Sequence, residues 1–320
     1  MTLDLSKVSD PSVQFLATGR GAAGLAANRP LPSPVPGSPL LLPVGTSLVL
    51  STGNGTTNLG SNLSKLKGSR NELLHNLTEA IHTGSYALVG RTNETPAVVI
   101  GHWNQWSSWS NDEEPADIDL SVKLFFAKDA TPQDVREACQ YYKFLVSPSS
   151  SIDSLFVQFD TGKYDEESSD QVQSPDSATD LSAPSSSQLG ELWRALETCI
   201  RDRDVKSVGV AGLNKPQLES FLQTTTDVLP SAVQVNISSS PQDIDDLIEY
   251  AESQGLSVYA HRDSLEFLPN THLFKLLSSH GVIASDVGSI HVGWVIKCSA
   301  FDHTRGVLLN KGYLVGAKAC

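Results

Sequence analysis

The chain has 320 residues and 39% apolar content, enough to bury one core of barrel size. Its 36 acidic residues against 23 lysines and arginines give a net charge of -13, which argues against a nucleic-acid backbone or an anionic membrane surface as the main partner. Four cysteines without paired metal-ligand spacing read as reduced thiols and not as a disulfide framework or a zinc site. With no leader-like start and no stretch of ~20 apolar residues, the expected location is the cytoplasm. The sequons at Asn54, Asn62, Asn76, Asn93 and Asn236 then carry no glycosylation signal.

Residues 28–43 contain six prolines, whose fixed φ and missing N–H oppose regular structure, so residues 1–44 read as a Pro-rich, disordered tail and the fold as residues 45–320. The run TSLVLSTGN (46–54) predicts a first strand. Leu73, Leu74, Leu77 and Ile81 at helical spacing predict a helix over 70–82. Residues 85–102 offer two short strand-like runs around a polar turn, of which either could join the main sheet. The loop WNQWSSWSNDEEPAD that follows has two readings, a loop packed on its own domain by its tryptophans or a partner-binding patch.

Regular alternation begins at residue 119. Strands are predicted at 119–126, 154–159, 207–212, 232–237 and 257–262, with helices at 131–145, 189–201, from Lys215, and at 241–254. Pro241 opens the last of these where its missing N–H costs nothing, and Gly255 lies where a left-handed cap would follow it. Between the second strand and its helix, residues 160–188 hold seven acids against Lys163, many serines and a Ser174-Pro175 pair. They read as a disordered insert, with a phosphorylated loop as the sharper alternative. Helical material is predicted from about Thr271 to Phe301 with a break at 285–288, and a last strand at 306–312. Such alternation implies a parallel sheet with right-handed crossovers, compatible with an open doubly wound sheet or a closed barrel.

The run WRALETCIRDRDVKSVGVAGLNKPQLESFL (193–222) resembles the aldo-keto reductases, in which a W-x-x-L-E helix precedes an S-I-G-V-S-N-F strand. Pro230–Asn236 resembles their P-A-V-N-Q-V-E strand and GLSVYAHRD the G-I-x-L-x-A-Y-S strand. The resemblance implies an α/β fold, a TIM-type (β/α)8 barrel that is aldo-keto-reductase-like and lacks the usual C-terminal cofactor-clamping segment. It also shows departures. Lys123 keeps the position of the reductases' lysine, but the D-x-A-x-x-Y motif with the tyrosine acid is missing from 85–118. Gln158 stands for the histidine, Ala211 and Gly212 for the Ser-Asn clamp on the carboxamide, and His261 for the stacking tyrosine, while Gln234 keeps its type. These positions imply a vestigial reductase site with no catalytic residue and no bound cofactor or metal.

Several departures coincide with the modifier (regulatory) subunits of glutamate–cysteine ligase: L-x-L-x-T-G-N near the start, Q-V-N for Q-V-E, A-H-x-D for A-Y-S, and above all WVIKCSAFDHTRGVLLNKGYLVGAK, where Arg305-Gly306 and Lys311-Gly312-Tyr313 fall in register. Lys297 and Cys298 depart from that family's R-Y pair. This second resemblance implies a non-catalytic subunit that forms a heterodimer with the catalytic subunit, tunes its glutamate use and its feedback by glutathione, and needs neither nucleic acid nor membrane. Cys320 and Cys298 are the candidates for an intersubunit disulfide, whereas Cys139 and Cys199 read as core residues. Lys123 has a structural alternative, an interior lysine held by a carboxylate. The alternative function is a divergent NADP-dependent aldo-keto reductase.

Overall fold

The computed structural model describes residues 13–17, 45–56, 68–91, 97–102, 106, 118–146, 151–160, 186–201, 205–224, 227–264, 266–283, 287–302 and 304–320. The acidic insert, except at its ends, and the Pro-rich run lie outside these residues. Within the expected tail, Val13–Ala17 is strand β1. The elements that follow are β2 (Ser47–Ser51), α1 (Ser69–Thr83), β3 (Ser85–Arg91), β4 (Ala97–Gly101), β5 (Ile118–Phe126), α2 (Pro132–Leu145), β6 (Ile152–Phe159), α3 (Ser186–Arg201), β7 (Val205–Ala211), α4 (Lys215–Thr224), β8 (Ala232–Asn236), α5 (Pro241–Ser253), β9 (Ser257–His261), α6 (Asn270–Ser279), β10 (Ile290–Asp302) and β11 (Val307–Ala319). Among the described residues no helix is long and apolar enough to cross a membrane.

Local chemistry accounts for the helix ends. Thr131 caps α2 in a reciprocal box with Asp134, and Ser240 caps α5 ahead of Pro241. Gly255, at φ 74°, turns the chain out of α5 into β9, a conformation that would strain any residue with a Cβ.

The described strands join one sheet in the order β1-β3-β4-β2-β11-β10-β5-β6-β7-β8-β9. From β5 to β9 the pairing is parallel, each strand followed by a helix, and this arc carries the strand–helix alternation of a TIM-like barrel. Both runs in 85–102 enter the sheet: β4 lies parallel to β2, and β3 antiparallel to β4. The long hairpin β10–β11 is inserted between β2 and β5, antiparallel to both. Here the expectation of helix up to Phe301 fails, since helix ends at Ser279 and Ile290–Asp302 is strand.

The physical reason lies at Gly293. The register of β10 against β11 shifts between Val292 and Trp294, so Ile290 and Val292 face one side of the sheet and Trp294, Ile296, Cys298 and Ala300 the other. That shift breaks the period-2 pattern by which a strand is recognised. The hairpin is close-packed at this point: a Cβ on Gly316 would stand 2.0 Å from the Trp294 ring.

Two cores follow from the two faces. Helices α2 to α5 cover one, burying Leu120, Val122, Leu124 and Phe126 of β5 with Trp193 and Phe221. Helices α1 and α6 cover the other, over Leu48, Leu50, Phe125, Val295 and Val315. Trp106 is 1% exposed and donates its indole N–H to Ser51 Oγ at 2.9 Å, so this tryptophan of the Trp-rich loop packs on its own domain.

Candidate functional site

Strand register puts Gln158, Ala211 and Gln234 on one rung of the parallel arc, with Phe125 of β5 and Tyr259 of β9 at its ends. Lys123 lies two residues before that rung on β5 and His261 two residues after it on β9. Neighbouring strands are ~4.8 Å apart, so β5 and β8 would stand ~14 Å apart in a flat sheet. Yet Lys123 Nζ donates to Gln234 Oε1 at 2.8 Å. The arc therefore curls until side chains three strands apart meet on its inner side.

Lys123 is also placed directly opposite Lys297 in the β5–β10 register, an arrangement of like charges that is unfavourable by itself. One carboxylate resolves it. Asp263, two residues past the end of β9, accepts from Lys123 at 2.9 Å and approaches Lys297 at 3.5 Å, while Ser69 at the start of α1 donates to it at 2.8 Å. The side chains of Lys123 and Asp263 are 8% and 7% exposed, so the pair is screened little by solvent. Burial alone would raise the Asp263 pKa, but Lys123 and Lys297 outweigh it and hold the carboxyl well below the usual range. For Lys123 burial wins: its pKa falls to about 8, with Asp263 opposing the shift.

The segment after β9 is fixed by the same group of contacts. Gln158 donates to Ser264 O at 2.7 Å, Asn236 reaches Asp263 O, and the Phe267 ring stacks on Phe125 with centroids 3.9 Å apart. His261 Nδ1 accepts the Asp263 backbone N–H at 3.2 Å, which leaves the proton of the neutral ring on Nε2. Its 3.9 Å approach to the Asp263 carboxylate is no ion pair, since burial and then the Lys123 charge lower the His261 pKa to about 4.

These contacts decide how well the residues would suit a nicotinamide dinucleotide. Lys123 is committed to Asp263 and Gln234, and Gln158 to the 264 carbonyl. Ala211 is fully buried and offers no amide, and Gly212, at φ 77°, none either. The described residues thus present neither a carboxamide clamp nor a free lysine beside a hydroxyl acid, and they do not fit the group. Of the six positions singled out in the sequence, four contribute polar side chains to one inner cluster, while Ala211 shares the rung of Gln158 and Gln234 and Gly212 follows the end of β7. Sequence reasoning missed Asp263, Lys297 and Ser69. The available signal was the acid in the A-H-x-D run, which supplies the carboxylate that an interior lysine requires. Cys298 is 3% exposed, its thiol pKa pushed up by burial, and faces the core with α2, whereas Cys320 is exposed.

No protein-family model matches the chain. Solved aldo-keto reductases are similar over part of it: the aldose reductase of Giardia lamblia is 20% identical across 49% of this chain and 49% of that one, with a TM-score of 0.33, a likeness too slight to carry an argument. Curated homologues are named more specifically. The glutamate–cysteine ligase regulatory subunit of Mus musculus is 28% identical over 132 residues, 41% of this chain and 47% of the relative. The putative glutamate–cysteine ligase regulatory subunit of Schizosaccharomyces pombe is 22% identical over 281 residues, 84% of this chain and 95% of the relative. The chain spans about half the length of the mammalian relatives it matches.

Replacing Asp263 by Ala leaves two buried or half-buried ammonium groups facing one another. It should destabilise the fold by about 3–5 kcal/mol in urea denaturation, and a loss under ~1 kcal/mol would contradict the linking role. The His261 pKa is depressed on folding, so the unfolded chain binds the proton first, and stability should fall as pH drops from about 6.5 to about 4. His261→Gln should flatten that part of the pH–stability curve, and an unchanged slope would rule His261 out as its source.

Proposed function

We propose that this chain is the regulatory subunit of a glutamate–cysteine ligase, acting in the cytoplasm by forming a heterodimer with the catalytic subunit and performing no reduction itself. The names of the curated homologues support the regulatory role. The observation that carries the second half is the Asp263–Lys123–Gln234 cluster, which occupies the lysine a reductase would use to lower the pKa of its acid. Lys123, Gln158, Ala211, Gly212, Gln234 and His261 are read as vestigial positions of such a site.

The regulatory effect must come from different affinities for two states of the catalytic subunit, because a partner that binds both equally shifts nothing. We assign to it an increase in apparent glutamate affinity and a weakening of glutathione feedback. A covalent tie between the subunits, where one forms, would run through Cys320, the exposed member of the candidate pair.

The reading is tested by kinetics of the purified catalytic subunit with and without the full chain. Addition should lower the KM for glutamate and raise the inhibition constant of glutathione, each on the order of fivefold. No change in either, or micromolar binding of NADPH by the isolated chain, would overturn it. Non-reducing electrophoresis of the oxidised pair should show a high-mass band that Cys320→Ser abolishes, and a band that survives the substitution would exclude Cys320.

A further inference from the structure

Among the described residues, β9 is an outer edge of the sheet and pairs with β8 alone. Its pairing fixes which backbone groups remain available. Ser257 N–H donates to Ser231 O and His261 O accepts from Ile237 N–H, so residues 257, 259 and 261 turn their peptide groups toward β8. By alternation, the N–H and C=O groups of Val258 and Ala260 point outward, away from the sheet. The strand is short, but its sequence does not blunt the edge: between 257 and 260 it reads Ser-Val-Tyr-Ala, without proline, lysine or bulge. Tyr259 is 53% exposed on it, and Ala260 is exposed as well.

Helix α5, which packs beside β8 and β9, gives this edge a charge. Residues 241–253 contain Asp243, Asp245, Asp246, Glu249 and Glu252 and no basic residue. Two copies joined edge to edge through β9 would bring two such acidic helices alongside each other, which like-charge repulsion opposes. A strand rich in lysine or arginine meets no such penalty, and its backbone can extend the sheet while every second side chain lies on the face that α5 covers.

Resting on the regulatory reading above, we propose that the open edge of β9 is where this chain holds its partner, by adding an extended, basic segment of the partner polypeptide as a further strand. Tyr259 supplies a large, partly apolar contact at the centre of that addition, and the acidic face of α5 selects the charge of the incoming segment.

The experiment uses the full chain and the catalytic subunit. On binding, amide hydrogen exchange across residues 257–262 should slow about tenfold or more, and raised ionic strength should weaken the complex. Ala260→Pro removes one outward N–H while leaving the β8 ladder intact, and should weaken binding about tenfold, with Ala260→Ser behaving as wild type. Asp245→Lys together with Glu249→Lys should slow association. If the chain binds its partner but exchange at 257–262 is unchanged and Ala260→Pro binds normally, the edge proposal fails and the regulatory reading stands. The exchange measurement needs no variant, so it remains decisive if Ala260→Pro folds poorly. If the unsubstituted chain does not bind at all, the regulatory reading fails and this one with it. Self-association abolished by Ala260→Pro, seen in sedimentation, would show that the edge takes a second copy and overturn the basic-partner proposal.

Discussion

One carboxylate between two lysines holds the strands, the first helix and the post-β9 segment in their relative positions. Lys123 and Lys297 stand opposite each other on neighbouring strands, a pairing that the sheet would otherwise resist, and Asp263 approaches both from beyond the end of β9. The carboxylate comes from the far side of the parallel arc, so satisfying the lysines and curling the sheet are the same event. Ser69 brings the start of α1 to the same carboxylate. A buried ion pair adds little net stability over well-packed apolar residues, but losing one member leaves an uncompensated charge. The cluster therefore specifies the geometry more than it strengthens it.

This arrangement also gives the lysine of the inner cluster a structural task. In the resemblance read from the sequence, lysine serves a neighbouring acid by stabilising its conjugate base. Here its ammonium group is shared between a carboxylate and an amide, and His261 is kept neutral by burial and by that same ammonium. The positions that resemble a catalytic set are used to close the structure on itself.

The parallel arc was legible because each unit is local: an apolar run, a cap such as Thr131 or Ser240, and a glycine such as Gly255 lie within a few residues of one another. Strand β10 was not legible. Its apolar residues serve two faces in succession across Gly293, and its hydrogen bonds run to β5 and β11, so neither period nor propensity identifies it from within. For the site, the sequence held the Lys123, Gln158, Gln234 and His261 positions through resemblance to a family. It did not reveal that Asp263, 140 residues after Lys123, would bind it, because only the curvature of the sheet brings the two together.

The position of the β10–β11 hairpin bears on how the molecule is made. It separates β2 from β5 in the sheet, yet it follows both, and every other described strand, along the chain. During synthesis the β1–β4 group and the β5–β9 arc emerge first and can acquire their local structure, but the seam between them stays open until residues 290–319 leave the ribosome. Until then two sheet edges are unpaired and Lys123 lacks its cross-strand neighbour. Such edges are the surfaces through which nascent chains mispair, so this fold depends on a late-made hairpin for protection as much as for stability.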